Sequence, residues 1–89
     1  MATDRAEAQD LHCRRLRWRS RRGMLELELV LAPFVTERLD RLSAADQALY
    51  EKLLDHDDWD IFEWIQGRRD IPDPDLVRIV EAIRAAAAL

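Results

Sequence analysis

Residues that interrupt helices or staple small folds are scarce in this chain: two glycines, three prolines and one cysteine among 89 residues. With so little glycine, phosphate-cradling loops are excluded, and neither a G-x-G-x-x-G nor a P-loop nor an H-E-x-x-H pattern occurs. The shortage of breakers leaves room for long helices. Cys13 has no second cysteine to pair with, so nothing in the chain needs an oxidising compartment. The composition is not that of a membrane-spanning chain. The first twenty residues carry Asp4, Glu7 and Asp10 among arginines and lack an apolar core, which excludes a secretory signal and argues against a transit peptide. Arg21-Arg22 does not open a twin-arginine signal either, because Glu26 and Glu28 interrupt the apolar stretch that would have to follow. The expectation is a soluble protein of the bacterial cytoplasm with no membrane insertion.

Hydrophobic residues make up 48% of the chain and charged residues 36%, a balance that suits a folded globular domain. A chain this short forms one domain and has little interior in which to enclose a deep active site. The net charge of −4 hides an asymmetry: residues 1–23 hold seven arginines against three acids, and residues 24–89 hold seven basic against fifteen acidic residues. The basic end suits nucleic acid, a carboxylate-rich protein surface, or the chain's own acidic half.

Five helices are predicted. The first covers residues 3 to about 20, with Thr3 as N-cap and Leu11, Leu16 and Trp18 as a sparse apolar stripe. Residues 25–29 alternate Leu-Glu-Leu-Glu-Leu, a strand signal. However, Met24, Leu27, Leu31, Phe34, Val35, Leu39 and Leu42 share one helical face, so a helix over 24–42 with a kink or break near Pro33 is the stronger reading. Ser43 caps a third helix running to about Leu54, and Asp57 or Asp58 caps a fourth from Trp59 to Gln66, ended by Gly67. Ile61, Phe62 and Ile65 form the buried side of the fourth helix, with Trp64 at its edge. Asp73 and Pro74 start the fifth, whose stripe is Leu76, Ile79, Val80, Ile83 and Ala87. The fold class is all-α: a compact five-helix bundle, one domain over 1–89.

The chemistry changes most abruptly at Arg21-Arg22-Gly23-Met24-Leu25-Glu26. Six of the nine residues from Arg14 to Arg22 are arginine, and they lead into a glycine and, three positions on, a carboxylate. Glycine there permits a turn or a close approach by another chain. Glu26, one turn into a helix, suits the positive dipole end and can reach back to an arginine. Arginine and tryptophan are enriched at interface hot spots, so protein docking suits this segment better than phosphate binding, for which Trp18 is the only interleaved aromatic.

The R-G-x-x-E pattern of Arg22, Gly23 and Glu26, with Arg21 before it and Met24 within it, resembles the SdhE family of flavinylation factors. So do Arg15-Leu16-Arg17-Trp18, Pro33-Phe34, Leu42-Ser43, Leu53-Leu54, Asp57-Asp58, Asp60-Ile61-Phe62 with Trp64-Ile65, and the Leu76/Val80/Ile83 stripe, in order and approximate spacing. The likeness covers roughly residues 15–84, leaving 1–14 as a weakly matched extension. Trp59 stands where the family has proline. The resemblance implies a monomeric, non-enzymatic assembly factor. It would bind the flavoprotein subunit of succinate dehydrogenase, with fumarate reductase as a further client, and promote covalent attachment of FAD to a histidine of that client without stably binding FAD itself. On this basis Arg22 and Glu26 are assigned directed polar contacts, Gly23 close backbone approach, and Arg21, Arg19 and Trp18 the flanking surface. Arg22→Ala is then expected to weaken client binding with little change in stability, and Gly23 as a helix-start glycine needed only for folding is the plain alternative.

The competing function is a nucleic-acid-binding or antitoxin-type regulator using the basic N-terminal segment. Trp64-Ile65-Gln66-Gly67-Arg68-Arg69 followed by Ile71-Pro72 has the look of a helix-turn-helix, yet residues 57–89 hold eight acids against four arginines and would repel DNA. No catalytic or metal residue is assigned. His12-Cys13 lacks a second pair, His56 sits in a capping turn, and no pocket in the pattern retunes Glu26, Asp57, Asp58 or Asp60 for acid–base work.

Overall fold

The computed structural model describes the backbone of residues 2–88 and the side chains of residues 8–88. Helices α1 (Ala2–Arg19), α2 (Leu25–Glu37), α3 (Ala44–Leu54), α4 (Asp58–Ile65) and α5 (Pro74–Ala86) follow one another, with a 3-10 turn at Leu39–Arg41. No strand occurs among the described residues. The two-residue alternation after Gly23 therefore yields to the longer helical face: Leu27, Leu31 and Phe34 are buried, while Leu25 and Leu29 remain 65% and 64% exposed. Pro33 lies inside α2 without ending it, and the break comes instead at Glu37, where the chain tightens into the 3-10 turn.

Local chemistry sets the helix ends. Ser43 Oγ accepts from the Asp46 N–H at 3.1 Å, Asp57 from the Trp59 N–H at 3.1 Å, and Asp73 from the Asp75 N–H at 2.9 Å. Gly67 takes φ +73° after α4, and the Gly67 and Arg68 N–H groups donate to Trp64 and Glu63 carbonyls at 3.1 and 3.0 Å, the paired bonds of a Schellman ending. Helix α5 packs against α2, α3 and α4, so its Leu76, Ile79, Val80 and Ile83 stripe becomes the centre of one core. Tyr50, Leu53, Ile61, Trp64 and Ile65 close around it.

Two expectations about burial are corrected. Leu11 and Trp18 do not face the bundle; the inward residues are Cys13 and Leu16 of α1 and Ser20 just after it. A serine is tolerated there because its hydroxyl is used: Ser20 Oγ lies 2.7 Å from the Leu16 carbonyl oxygen and shares a 2.6 Å hydrogen bond with the Tyr50 phenol. In α4 the indole of Trp64 is in the core, edge-on to His56 at 5.1 Å, whereas Phe62 is only partly buried. Thr3 falls inside α1, whose first residue is Ala2.

Tyr50 gives this packing a pH signature. Burial pushes its phenol up to about 12, outweighing the Ser20 hydrogen bond and the Arg22 charge, which favour ionisation. Because the folded value lies above the unfolded one, the stabilisation is complete below about pH 10 and lost as pH rises towards 12, an effect of about 2–3 kcal/mol. Tyr50 is the only tyrosine, so the tyrosinate absorbance reports it alone. Half-ionisation near pH 12 in the native protein, moving to about pH 10 in urea, is the expected titration. A native midpoint of about 10 would contradict the buried phenol.

Candidate functional site

The turn between α1 and α2 is built around the Arg22 side chain, which is 15% exposed. Its Nε donates to Asp58 Oδ1 at 2.6 Å, its Nη1 to the carbonyls of Arg19 and Leu54 at 3.2 and 3.0 Å, and its Nη2 to the His56 carbonyl at 2.9 Å. Arg19 and Leu54 are the last residues of α1 and α3, and Asp58 is the first of α4. One guanidinium thus satisfies carbonyls that a helix end leaves without partners and adds positive charge where the dipole favours it. It also anchors the start of a third helix. The fork geometry is particular to arginine; a lysine ammonium could not span these four acceptors.

The clamp leaves Gly23 on the outside. A Cβ built on Gly23 meets nothing within 4 Å, and its φ lies outside the left-handed region, so neither packing nor backbone conformation requires a glycine there. Met24 is the N-cap of α2 and Glu26 lies in its first turn, the dipole position expected. Glu26 does not reach back to an arginine of the described chain, as its place at the helix start allowed; the carboxylate partner of Arg22 is Asp58. Glu26 is exposed and makes no ion pair in the described chain. Trp18 is 70% exposed, with the Arg21 guanidinium 5.3 Å from its ring centroid. Arg19 is bonded to Asp55 at 2.6 Å. The six candidate residues therefore divide. Gly23, Glu26, Arg21 and Trp18 are presented outward, Arg22 is engaged inward, and Arg19 is paired with Asp55 at the surface.

This pairing also resolves the charge asymmetry. Arg17, Arg19 and Arg22 are paired with Asp40, Asp55 and Asp58, so half of the arginine run is neutralised by the chain's own acidic part. His12 joins the same contact, its Nε2 2.6 Å from Glu51 and its Nδ1 3.2 Å from Gln47. Among the described residues the surface lacks the continuous unpaired cationic stripe that phosphate backbones select. The nucleic-acid alternative gains no support from it. The long-range partners of Arg22 were missed from the sequence because they lie 32–36 positions away, and only the acid-rich Asp55–Asp58 stretch hinted at them.

Grooves on the surface hold about 350–450 Å³ and are open to solvent, lined in part by Arg17, Arg21, Glu28, Arg38 and Arg41. No helix among the described residues is long and apolar enough to cross a membrane. Fold and site together define a class: small all-helical domains that offer a braced surface. Within that class the chain belongs to the family described as flavinator of succinate dehydrogenase, whose model matches residues 14–87. It is 47% identical over 76 residues to the FAD assembly factor SdhE of Pseudomonas aeruginosa, covering 85% of this chain and 90% of the relative. The FAD assembly factors SdhE of Shewanella oneidensis and Legionella pneumophila are 43% and 41% identical over 74 and 70 residues, covering 83% and 79% of this chain and 90% and 87% of theirs.

Proposed function

We propose that this protein is a FAD assembly factor that binds the flavoprotein subunit of succinate dehydrogenase and promotes covalent attachment of its flavin. The supporting observation, beside family membership, is Gly23: an open backbone position on a turn braced by four hydrogen bonds, with no reason inside the chain to be glycine. A close backbone approach by a partner supplies that reason. Gly23, Glu26, Arg21 and Trp18 touch the client, while Arg22 and Arg19 hold the surface in shape. FAD is the client's ligand and is not stably held here. The factor acts non-catalytically, as a monomer in the bacterial cytoplasm, by binding one arrangement of the client more tightly than the others and so raising its population. Fumarate reductase, whose flavoprotein poses the same chemical task, is a second client, and no nucleic acid takes part.

Calorimetric titration with the flavoprotein subunit tests this reading. Binding is expected in a 1:1 ratio, and raising the salt from 50 to 200 mM should weaken it far less than the roughly 10³–10⁵-fold loss of a protein that contacts many phosphates. No binding to either flavoprotein would overturn the proposal.

A further inference from the structure

We infer that Trp59 is a second anchor of the docking surface, received by an apolar recess of the flavoprotein client beside the place that meets Gly23. This rests on the reading of the chain as an assembly factor and adds one contact and its chemistry. Trp59 follows Asp58, whose carboxylate Arg22 holds at 2.6 Å, so the clamp that fixes the Arg-Gly turn also fixes the first turn of α4 next to it. The indole is 53% exposed, yet it rests against Phe62, with ring centroids 6.2 Å apart and planes inclined by 36°. A partly immobilised side chain has less rotamer freedom to lose on binding.

The acids around Trp59 are already used within the chain. Asp57 accepts from the Trp59 N–H at 3.1 Å, Asp58 is bonded to Arg22, and Asp60 to Arg69 at 2.8 Å. With Asp58 and Asp60 paired to Arg22 and Arg69 and Asp57 capping α4, the apolar group this acid-dense turn offers a partner is the indole. An apolar recess is the complement that gains most from covering it, because buried tryptophan is among the commonest hot-spot residues. Across the turn, Arg21 and Glu26 lack ionic partners among the described residues, so the client's rim should carry a carboxylate and a cation in matching places.

The experiment titrates the flavoprotein subunit of succinate dehydrogenase from the same organism, with FAD present, into wild type, Trp59→Phe, Trp59→Ala and Gly23→Leu, with a melting curve for each. Trp59→Ala is expected to bind roughly 10- to 30-fold more weakly, Trp59→Phe to fall between it and wild type, and both to melt close to wild type. Equal affinities for wild type and Trp59→Ala would overturn the inference and leave the proposed function standing, provided that Gly23→Leu still loses affinity. Absence of binding by wild type would overturn both.

Discussion

Arg22→Ala is expected to lower the melting temperature by about 10–20 °C, the shift that a loss of about 2–3 kcal/mol produces in a domain of this size. The substitution removes four hydrogen bonds at once, leaving three carbonyls at helix ends and the half-buried Asp58 carboxylate without their donor. Water reaches Asp58 in part, since its side chain is 30% exposed, so the penalty stays below that of a fully buried broken pair. This reverses the expectation from the R-G-x-x-E pattern alone, in which Arg22 was a contact residue of little consequence for stability. Asp58→Ala, which changes only the other side of the clamp, should reproduce part of the loss, and the double variant should be less destabilised than the sum of the two. Chemical denaturation of the four proteins measures this coupling. Strict additivity would show that the clamp is not a unit.

Gly23→Leu is expected to behave in the opposite way, melting like wild type but binding the flavoprotein about 10–100-fold more weakly. Nothing lies within 4 Å of the added Cβ, and the backbone there suits any residue. Gly23→Ala should even be slightly more stable, by about 0.4–1 kcal/mol, because alanine restricts the unfolded chain more than glycine does. In a close-packed interface an intruding side chain costs about 1–3 kcal/mol or more, which gives the expected range of affinity. Glu26→Ala should share this pattern of intact folding and weakened binding, since Glu26 has no ionic partner in the described chain. A Gly23→Leu protein that is unfolded would instead support the plain reading of a glycine needed for folding.

The contrast between Arg22 and Gly23 marks where the sequence was legible. Features governed by near neighbours were read correctly: the Ser43 and Asp73 caps, Asp57 as one of two candidate caps, Gly67 as the end of α4 and the helical face of α2 all follow from residues within one or two turns. The abrupt change of chemistry at Gly23 and the arginine density before it were visible too. What the sequence hid is set by distant packing. Whether Cys13 and Ser20 or Leu11 and Trp18 face the bundle depends on Tyr50 waiting 30 residues away to accept a small polar partner. Trp64 and not Phe62 is buried once α2 and α5 pack on α4, which periodicity over eight residues cannot reveal. Likewise, no local pattern shows that an arginine in a motif associated with binding spends its donors on its own helix ends.

The most direct test of the central claim is in-gel flavin fluorescence of the flavoprotein subunit, denatured after incubation with FAD in the presence or absence of this protein. Denaturation removes all flavin that is not covalently attached, so the signal counts the bond itself. A band that appears or strengthens only when the protein is present, and fails to do so with the folded Gly23→Leu variant, is the expected result. Equal fluorescence with and without the protein would contradict the account.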